Sequence, residues 1–247
     1  MATTAAEECI LGASVASQAD TKHLQRAYGV FQKEAFDIEQ DYQPKTVNTD
    51  GWSATQQAWK ALFSSITVIE CFLHAFLKIK AVARVKTQTL FQEVGDRVWD
   101  VYDAPSRAAF SQRIRRLQDW ALEQSNCPII QNVLKLCRKK IRFAVAYSHP
   151  NAYRTSNQVD RLMDGMDRFL FSARYFHGTA QSAELSIRAY ALLHNFTPSC
   201  PKVVKKYNGQ LSPMERLNGF RYHDNWLQNL LISASRNGFR GSQQNPL

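Results

Sequence analysis

The sequence predicts an α/β fold, because two kinds of apolar pattern follow each other along the chain. Over about the first 70 residues, short β-branched runs alternate with amphipathic stretches, an order typical of a mostly parallel sheet. From about residue 73 to 147, apolar residues recur only at three- and four-residue steps, which indicates helices. The chain has 247 residues and is 45% hydrophobic, which is enough for a sizeable core.

The first part of the chain should contain strands and helices in alternation. They are, in order, a strand over residues 9–17, a helix over 21–38, a short strand from Thr46 that leads into Asp50, a helix over 54–63 and a strand over 66–69. Asp20 directly precedes the first helix and suits an N-cap, since its carboxylate can accept hydrogen bonds from first-turn N–H groups. Residues 1–6 show no pattern typical of a helix or a strand.

The helical part that follows shows two apolar stripes, and Pro105 and Pro128 separate its helices. The stripes consist of Phe110, Ile114, Leu117 and Ala121, and then of Ile130, Val133, Leu134, Cys137 and Ile141. The basic residues on the opposite faces are Arg113, Arg115, Arg116, Arg138, Lys139, Lys140 and Arg142. We expect these side chains to contact phosphates.

Beyond this part we expect a helix from about Asn157, another over 180–194, an irregular basic tail from 202 and a helix over 223–235. Basic and aromatic residues interleave in the tail, which suits phosphate contacts and base stacking. The basic candidates there are Lys205, Lys206, Arg216 and Arg221. The tail helix can also pack apolar residues such as Trp226 on the core, and both interpretations stay open.

The charge of the chain is unevenly distributed along its length. Residues 1–70 carry 5 basic and 9 acidic side chains, residues 71–150 carry 14 and 6, and residues 151–247 carry 12 and 6. A chain with this asymmetry and a net charge of +10 is typical of a protein that binds a polyanion, and we expect double-stranded DNA. The alternative is a basic solvated surface without a partner.

The five cysteines are widely spaced and odd in number, and no signal peptide precedes them, so we expect reduced thiols in a cytoplasmic protein. No run of about 18 apolar residues exists, so we expect no membrane span. Cys71 and His74 have half of a zinc-site spacing, but no second pair accompanies them. We therefore expect Cys71 to pack as a small apolar residue.

Asp50 and Asp160 are the candidate metal ligands. Asp50 directly follows a predicted strand, where open parallel sheets bind ligands, and Asp160 lies in the first turn of a predicted helix. Mg²⁺ is commonly held by one or two carboxylates together with water and phosphate oxygens. Asp-Gly is also a common turn sequence, and Asp160 with Asp164 and Asp167 can form a solvated helix face, so both alternatives remain.

Several motifs, taken in order, resemble those of a known family. They are Asn48-Thr49-Asp50-Gly51-Trp52, Cys71-x-x-His74, Thr155-Ser156-Asn157-Gln158-Val159-Asp160-Arg161 and His194-Asn195-Phe196. Their order and spacing resemble the C-terminal part of a bacterial insertion-sequence transposase of the DDE class, which has a ribonuclease H-like core. In such enzymes a long helical insertion separates the second acid from the third, and residues 73–150 are similar to it.

The resemblance implies an incomplete ribonuclease H-like core with a large all-helical insertion and a helical C-terminal tail. Its divisions would be 1–70 and 151–200 for the core, 71–150 for the insertion and 201–247 for the basic tail. It also implies Mg²⁺ or Mn²⁺ at the catalytic acids Asp50 and Asp160, with Glu215 in reserve as the third acid. The implied partner is the double-stranded DNA of the element ends, bound by a homo-oligomer.

Two departures from the family pattern affect the expected activity. The third acid of the family is normally Glu, whereas the matching residue here is Asp160. The first acid should lie on a strand ahead of residue 9, and Asp20 follows the predicted strand as a helix cap. We therefore expect an N-terminally truncated, inactive transposase; the alternative is a non-catalytic DNA-binding protein derived from one.

Overall fold

The computed structural model describes residues 2–6, 8–176 and 178–236. The chain divides into two compact units. Unit 1 combines residues 1–42 with residues 158–247, and unit 2 is the continuous segment 43–157. The described residues are mostly helical and include two small sheets, so the broad α/β prediction is confirmed, while the ribonuclease H-like core stays a prediction.

The four described strands are β1 (Ala2–Ala6), β2 (Cys9–Ser14), β3 (Thr46–Thr49) and β4 (Thr67–Glu70). The helices are α1 (Thr21–Ile38), α2 (Ser53–Leu62), α3 (Phe72–Lys80), α4 (Gln88–Tyr102), α5 (Arg107–Glu123), α6 (Pro128–Arg138), α7 (Lys140–Ala144), α8 (Asn157–Ser172), α9 (Ala180–Phe196), α10 (Pro201–Lys206), α11 (Pro213–Asn218) and α12 (Trp226–Ser235). Short 3₁₀ helices cover Val85–Thr87 and Val145–Ser148. The tail expected to be irregular from residue 202 thus contains two short helices before α12.

Unit 2 begins with a strand-helix-strand motif. Strands β3 and β4 pair in parallel, with Thr46 opposite Thr67 and Thr49 opposite Glu70, and α2 connects them. This agrees with the alternation predicted from the sequence. Because parallel strands run in one direction, their carboxyl ends meet at the same edge, and Asp50 and Glu70 are brought to that edge.

The core of unit 2 lies among its helices. The stripe predicted on α5 is confirmed, since Phe110, Ile114, Leu117 and Ala121 are all buried. On the second stripe, Val133 and Cys137 are buried but Ile141 is 76% exposed. The reason is that α6 ends at Arg138 and the backbone of Lys139 is not helical, with φ −87° and ψ 7°. The residues of α7 therefore do not continue the buried face of α6.

Unit 1 contains an antiparallel hairpin of β1 and β2 that packs against helices. Ile10 of β2 lies in a core with Met166 of α8 and Ile187 of α9. The sequence did not predict β1, because Ala2–Ala6 consists of small residues without apolar alternation. Strand β1 forms because its backbone pairs with that of β2, although its side chains show no strand pattern. The expected parallel arrangement therefore holds for β3 and β4 only.

Asn195 of α9 stabilises β2. Its side-chain oxygen accepts a hydrogen bond from the Ile10 N–H at 2.8 Å, and its side-chain NH₂ donates to the Ile10 carbonyl at 2.8 Å. The asparagine is 3% exposed, so it satisfies backbone groups that water does not reach. The Asn195 side chain thus supplies the two hydrogen bonds that the backbone of a neighbouring strand would supply in a wider sheet.

We expect Asn195→Ala to lower the free energy of unfolding of unit 1, because it leaves a buried N–H and a buried carbonyl without partners. Each unsatisfied group costs about 1–3 kcal/mol. Asn195→Asp should also destabilise, since a carboxylate cannot donate to the Ile10 carbonyl. Urea unfolding followed by circular dichroism measures both effects. The exposed Asn151→Ala is the control, and equal stability of the Asn151 and Asn195 variants would contradict the assignment.

Candidate nucleic-acid interface

The positive charge of the protein is concentrated in unit 2. Residues 43–157 contain 17 basic and 8 acidic side chains, a net charge of +9. The residues of unit 1 contain 14 basic and 13 acidic side chains, a net charge of +1. Almost the whole net charge of +10 therefore belongs to one continuous segment.

Within unit 2, residues 124–157 form a stretch without any acidic residue. The stretch carries six basic side chains, which are Lys135, Arg138, Lys139, Lys140, Arg142 and Arg154. Helix α6 buries its apolar face, and this directs Lys135 and Arg138 to solvent. Lys135, Arg138 and Lys140 are exposed, and no described carboxylate lies within ion-pair distance of them. Sequence reasoning did not select Lys135, although the absence of acids around it was visible.

Other predicted DNA contacts are engaged inside the protein. Arg113 pairs with Asp100 at 2.8 Å, and Arg221 pairs with both Glu215 and Asp224 at 2.8 Å. The hydrogen bond to Asp224 is the main reason why the pKa of Arg221 is raised, followed by the charge of Glu215. These arginines can reach a phosphate only in competition with a protein carboxylate.

Arg216 is the most strongly engaged of the predicted DNA contacts. Its side chain is 5% exposed and donates to Glu8 at 2.8 Å and to Ser199 at 3.1 Å. The guanidinium also lies over the ring of Tyr207, 4.8 Å from its centroid. Arg216 thus stabilises unit 1 and is not available at its surface.

Of the eight remaining candidates, Lys139 and Arg142 pair with a carboxylate described below, and the other six lie at the surface. They are Arg115 and Arg116 of α5, Arg138 of α6, Lys140 of α7, and Lys205 and Lys206 of α10, and all six are exposed. Arg115 and Arg116 share the outer face of α5 with the exposed acids Asp119 and Glu123. Helices α6 and α7, by contrast, contain basic residues and no acidic residue.

Glu70 occupies the edge where β3 and β4 end, and sequence reasoning did not select it. Its side chain is 3% exposed. Lys139 donates to one carboxylate oxygen and Arg142 donates to the other at 3.3 Å. A buried carboxylate requires such compensation, because removal from water disfavours the charged form. The available signals in the sequence were an acid at the end of a predicted strand and, far along the chain, a basic stretch without acids of its own.

Asp50 forms a turn at the same edge. One of its carboxylate oxygens accepts a hydrogen bond from the Trp52 N–H at 2.9 Å, and the side chain is exposed. Gly51 has a φ of +86°, which glycine adopts readily. A Cβ at Gly51 would lie 2.6 Å from Glu70 Oε1, so this turn requires glycine for a second reason. The Asp-Gly pair is therefore a turn, the alternative noted from the sequence, and its carboxylate still faces solvent.

At this edge of the sheet, one carboxylate is accessible to a divalent metal. Asp50 offers one accessible carboxylate, while the carboxylate of Glu70 is occupied by Lys139 and Arg142. Among the described residues, no group of three or more His, Cys, Asp or Glu side chains can hold a metal ion. Asp160 lies in the first turn of α8, in unit 1. Metal binding by Asp50 and Asp160 stays a prediction.

Glu215, the reserve candidate for the third acid, makes contacts that stabilise the start of a helix in unit 1. It is 8% exposed, one oxygen accepts from the Leu211 N–H at 2.8 Å, and the other pairs with Arg221. Ser212 caps the helix by accepting from the Glu215 N–H at 3.2 Å. These contacts resemble a capping box, in which the acid stabilises a helix start.

Cys71 and His74 hold the segment that precedes α8. The Ser156 N–H donates to Cys71 Sγ at 3.1 Å, and Ser156 Oγ lies 3.2 Å from His74 Nδ1. Cys71 is fully buried, as expected for a small apolar residue, and none of the five cysteines, all of which lie in the described part of the chain, forms a disulfide. The motif therefore packs one segment of unit 2 against another.

Comparisons of this chain with protein-family models, curated proteins and solved structures find no match. The resemblance to a transposase therefore remains a hypothesis based on the motifs. In the described part of the chain, none of the helices has the length and apolar character needed to cross a bilayer.

We expect Gly51→Ala to destabilise unit 2. The left-handed backbone costs roughly 1–2 kcal/mol for a residue with a Cβ, and the contact with Glu70 adds to this cost. In urea unfolding, Glu70→Ala should partly relieve the effect, with a coupling energy of about 0.5–3 kcal/mol between the two sites. Gly95→Ala is the control, because this glycine lies within α4 and no described atom lies within 4 Å of the position that a Cβ would take. That change should stabilise by about 0.5–1 kcal/mol. If the changes in unfolding free energy of Gly51→Ala and Glu70→Ala simply add in the double variant, the close approach between these two residues is contradicted.

Proposed function

We propose that this protein binds duplex DNA without strong sequence preference, as a transposase-related protein, and that unit 2 makes the phosphate contacts. The observation that carries the proposal is the net charge of +9 on unit 2, against +1 on unit 1. Within unit 2, the exposed Lys135, Arg138 and Lys140 are the principal contacts. Cations that have no carboxylate partner can neutralise phosphates and release the counterions condensed on DNA.

The charge distribution favours a polyanion over a small anionic ligand. Lys135 and Arg138 lie about one turn apart on the exposed face of α6, and the exposed Lys140 begins α7. Duplex DNA presents a phosphate charge about every 1.7 Å along its axis, so a row of cations can contact several phosphates at once. Contacts of this kind position a protein on DNA and carry no sequence information directly.

Charge removal tests the proposal. We expect Lys135→Gln/Arg138→Gln/Lys140→Gln to weaken binding of a 20-base-pair duplex at low salt. The slope of log K against log salt should become shallower by up to about 3, since each phosphate contact contributes about 0.9. Fluorescence anisotropy with duplexes of two unrelated sequences, measured from 50 to 200 mM salt, gives both quantities.

The matched control removes the same charge from unit 1. Lys22, Arg26 and Lys33 are exposed on α1, and Lys22→Gln/Arg26→Gln/Lys33→Gln lowers the net charge equally. This variant should bind with a nearly unchanged slope. Equal losses in the two triple variants would show that net charge alone governs binding, and a flat salt dependence of the unaltered protein would overturn the proposal.

The transposase resemblance adds a metal-binding proposal for Asp50 and Asp160, with Mg²⁺ or Mn²⁺ as the ion. Mn²⁺ titration followed by electron paramagnetic resonance tests it. Asp50→Asn and Asp160→Asn should each reduce the bound Mn²⁺, whereas Asp119→Asn, at an exposed acid of α5, should not. Equal binding by all four proteins would remove these acids as ligands. The DNA-binding proposal does not depend on this result.

A further inference from the structure

Glu70 is a carboxylate from one part of unit 2 placed beneath two cations of another part. It lies 69 residues before Lys139 and is held at the end of β4, while Lys139 lies between α6 and α7 and Arg142 lies within α7. The exposure of the three side chains differs in a consistent way. The carboxylate is 3% exposed, Lys139 is 33% exposed and Arg142 is 59% exposed. The anion is thus enclosed, and the cations that cover it still reach solvent.

Glu70 neutralises part of the positive charge of residues 124–159, which contain no acidic residue of their own. Between Gln124 and Val159 the sequence has no acid, so the compensating carboxylate comes from outside the stretch. Glu70 binds Lys139 and Arg142 in the way that a phosphate oxygen would, with one cation on each carboxylate oxygen. The same two cations cannot give their full charge to a DNA phosphate while they neutralise Glu70.

We propose that Glu70 is an internal anion that masks a phosphate-binding position formed by Lys139 and Arg142. This inference rests on the proposed DNA binding and adds the control of one position within that surface. DNA then contacts Lys135, Arg138 and Lys140 first, and it competes with Glu70 for the two masked cations. Loss of the negative charge on Glu70 releases them for a phosphodiester.

The substitution Glu70→Gln tests the masking, because it keeps the shape of the side chain and removes its charge. We expect E70Q to bind the 20-base-pair duplex more tightly than the unaltered protein. If both cations gain a phosphate contact, the salt slope steepens by about 1.8. The affinity advantage of E70Q at 50 mM salt should then be roughly tenfold larger than at 200 mM salt. A gain in affinity of this kind is not produced by misfolding.

Two further variants isolate the local effect. Glu123→Gln removes the same charge from the exposed face of α5, where no described cation pairs with Glu123, and should leave the slope unchanged. Lys139→Gln/Arg142→Gln in the E70Q background should abolish the gain. Retention on a heparin column at the same salt concentrations reports on the freed cations without DNA, and E70Q should elute later.

The outcomes separate this inference from the proposed function. If the unaltered protein binds DNA with steep salt dependence and E70Q has the same slope, masking is wrong and DNA binding stands. If the duplex is not bound by either protein but E70Q elutes later from heparin, DNA binding is wrong and the masked anion position stands. A gain for Glu123→Gln as large as that of E70Q would overturn masking, because the effect would then come from net charge.

Discussion

A buried carboxylate at the end of a strand constrains the whole edge of unit 2. Glu70 is removed from water, and its charge must be compensated by cations that the chain supplies from far away in sequence. Lys139 and Arg142 supply it, so the junction of α6 and α7 is tied to the end of β4. Gly51 completes the constraint, since any larger residue would occupy the space of the Glu70 carboxylate.

The same constraint shapes the basic surface. Unit 2 has a net charge of +9, and part of its basic stretch is engaged in compensating Glu70. The amphipathic pattern of α6 directs Lys135 and Arg138 to solvent, while the apolar residues of that helix form the core. Charge, burial and helix geometry therefore agree on one surface, and this agreement supports the proposed phosphate binding.

Unit 1 shows why a count of basic residues does not identify a binding surface. Its tail has basic and aromatic residues in alternation, yet Arg216 and Arg221 pair with acids of the same unit. The Arg216 contact with Glu8 links α11 to the residue before β2, and Asn195 links α9 to β2 itself. Arg216 is both paired and buried, so it is costly to extract, and Arg221 can leave its two carboxylates only by breaking both ion pairs.

The sequence by itself determined most of the helices, though not α10 and α11, together with the strand-helix-strand motif and the basic character of the middle of the chain. These features depend on local periodicity and composition, which a single sequence displays, as on α5 and at the Asp50-Gly51 turn. Two features depended on the tertiary structure. Strand β1 forms although its residues show no strand pattern, and Ile141 is exposed because α6 ends before it. The tertiary structure also decided which cations are paired, because Glu70 meets Lys139 across 69 residues of sequence, and such contacts follow from the packing of distant segments.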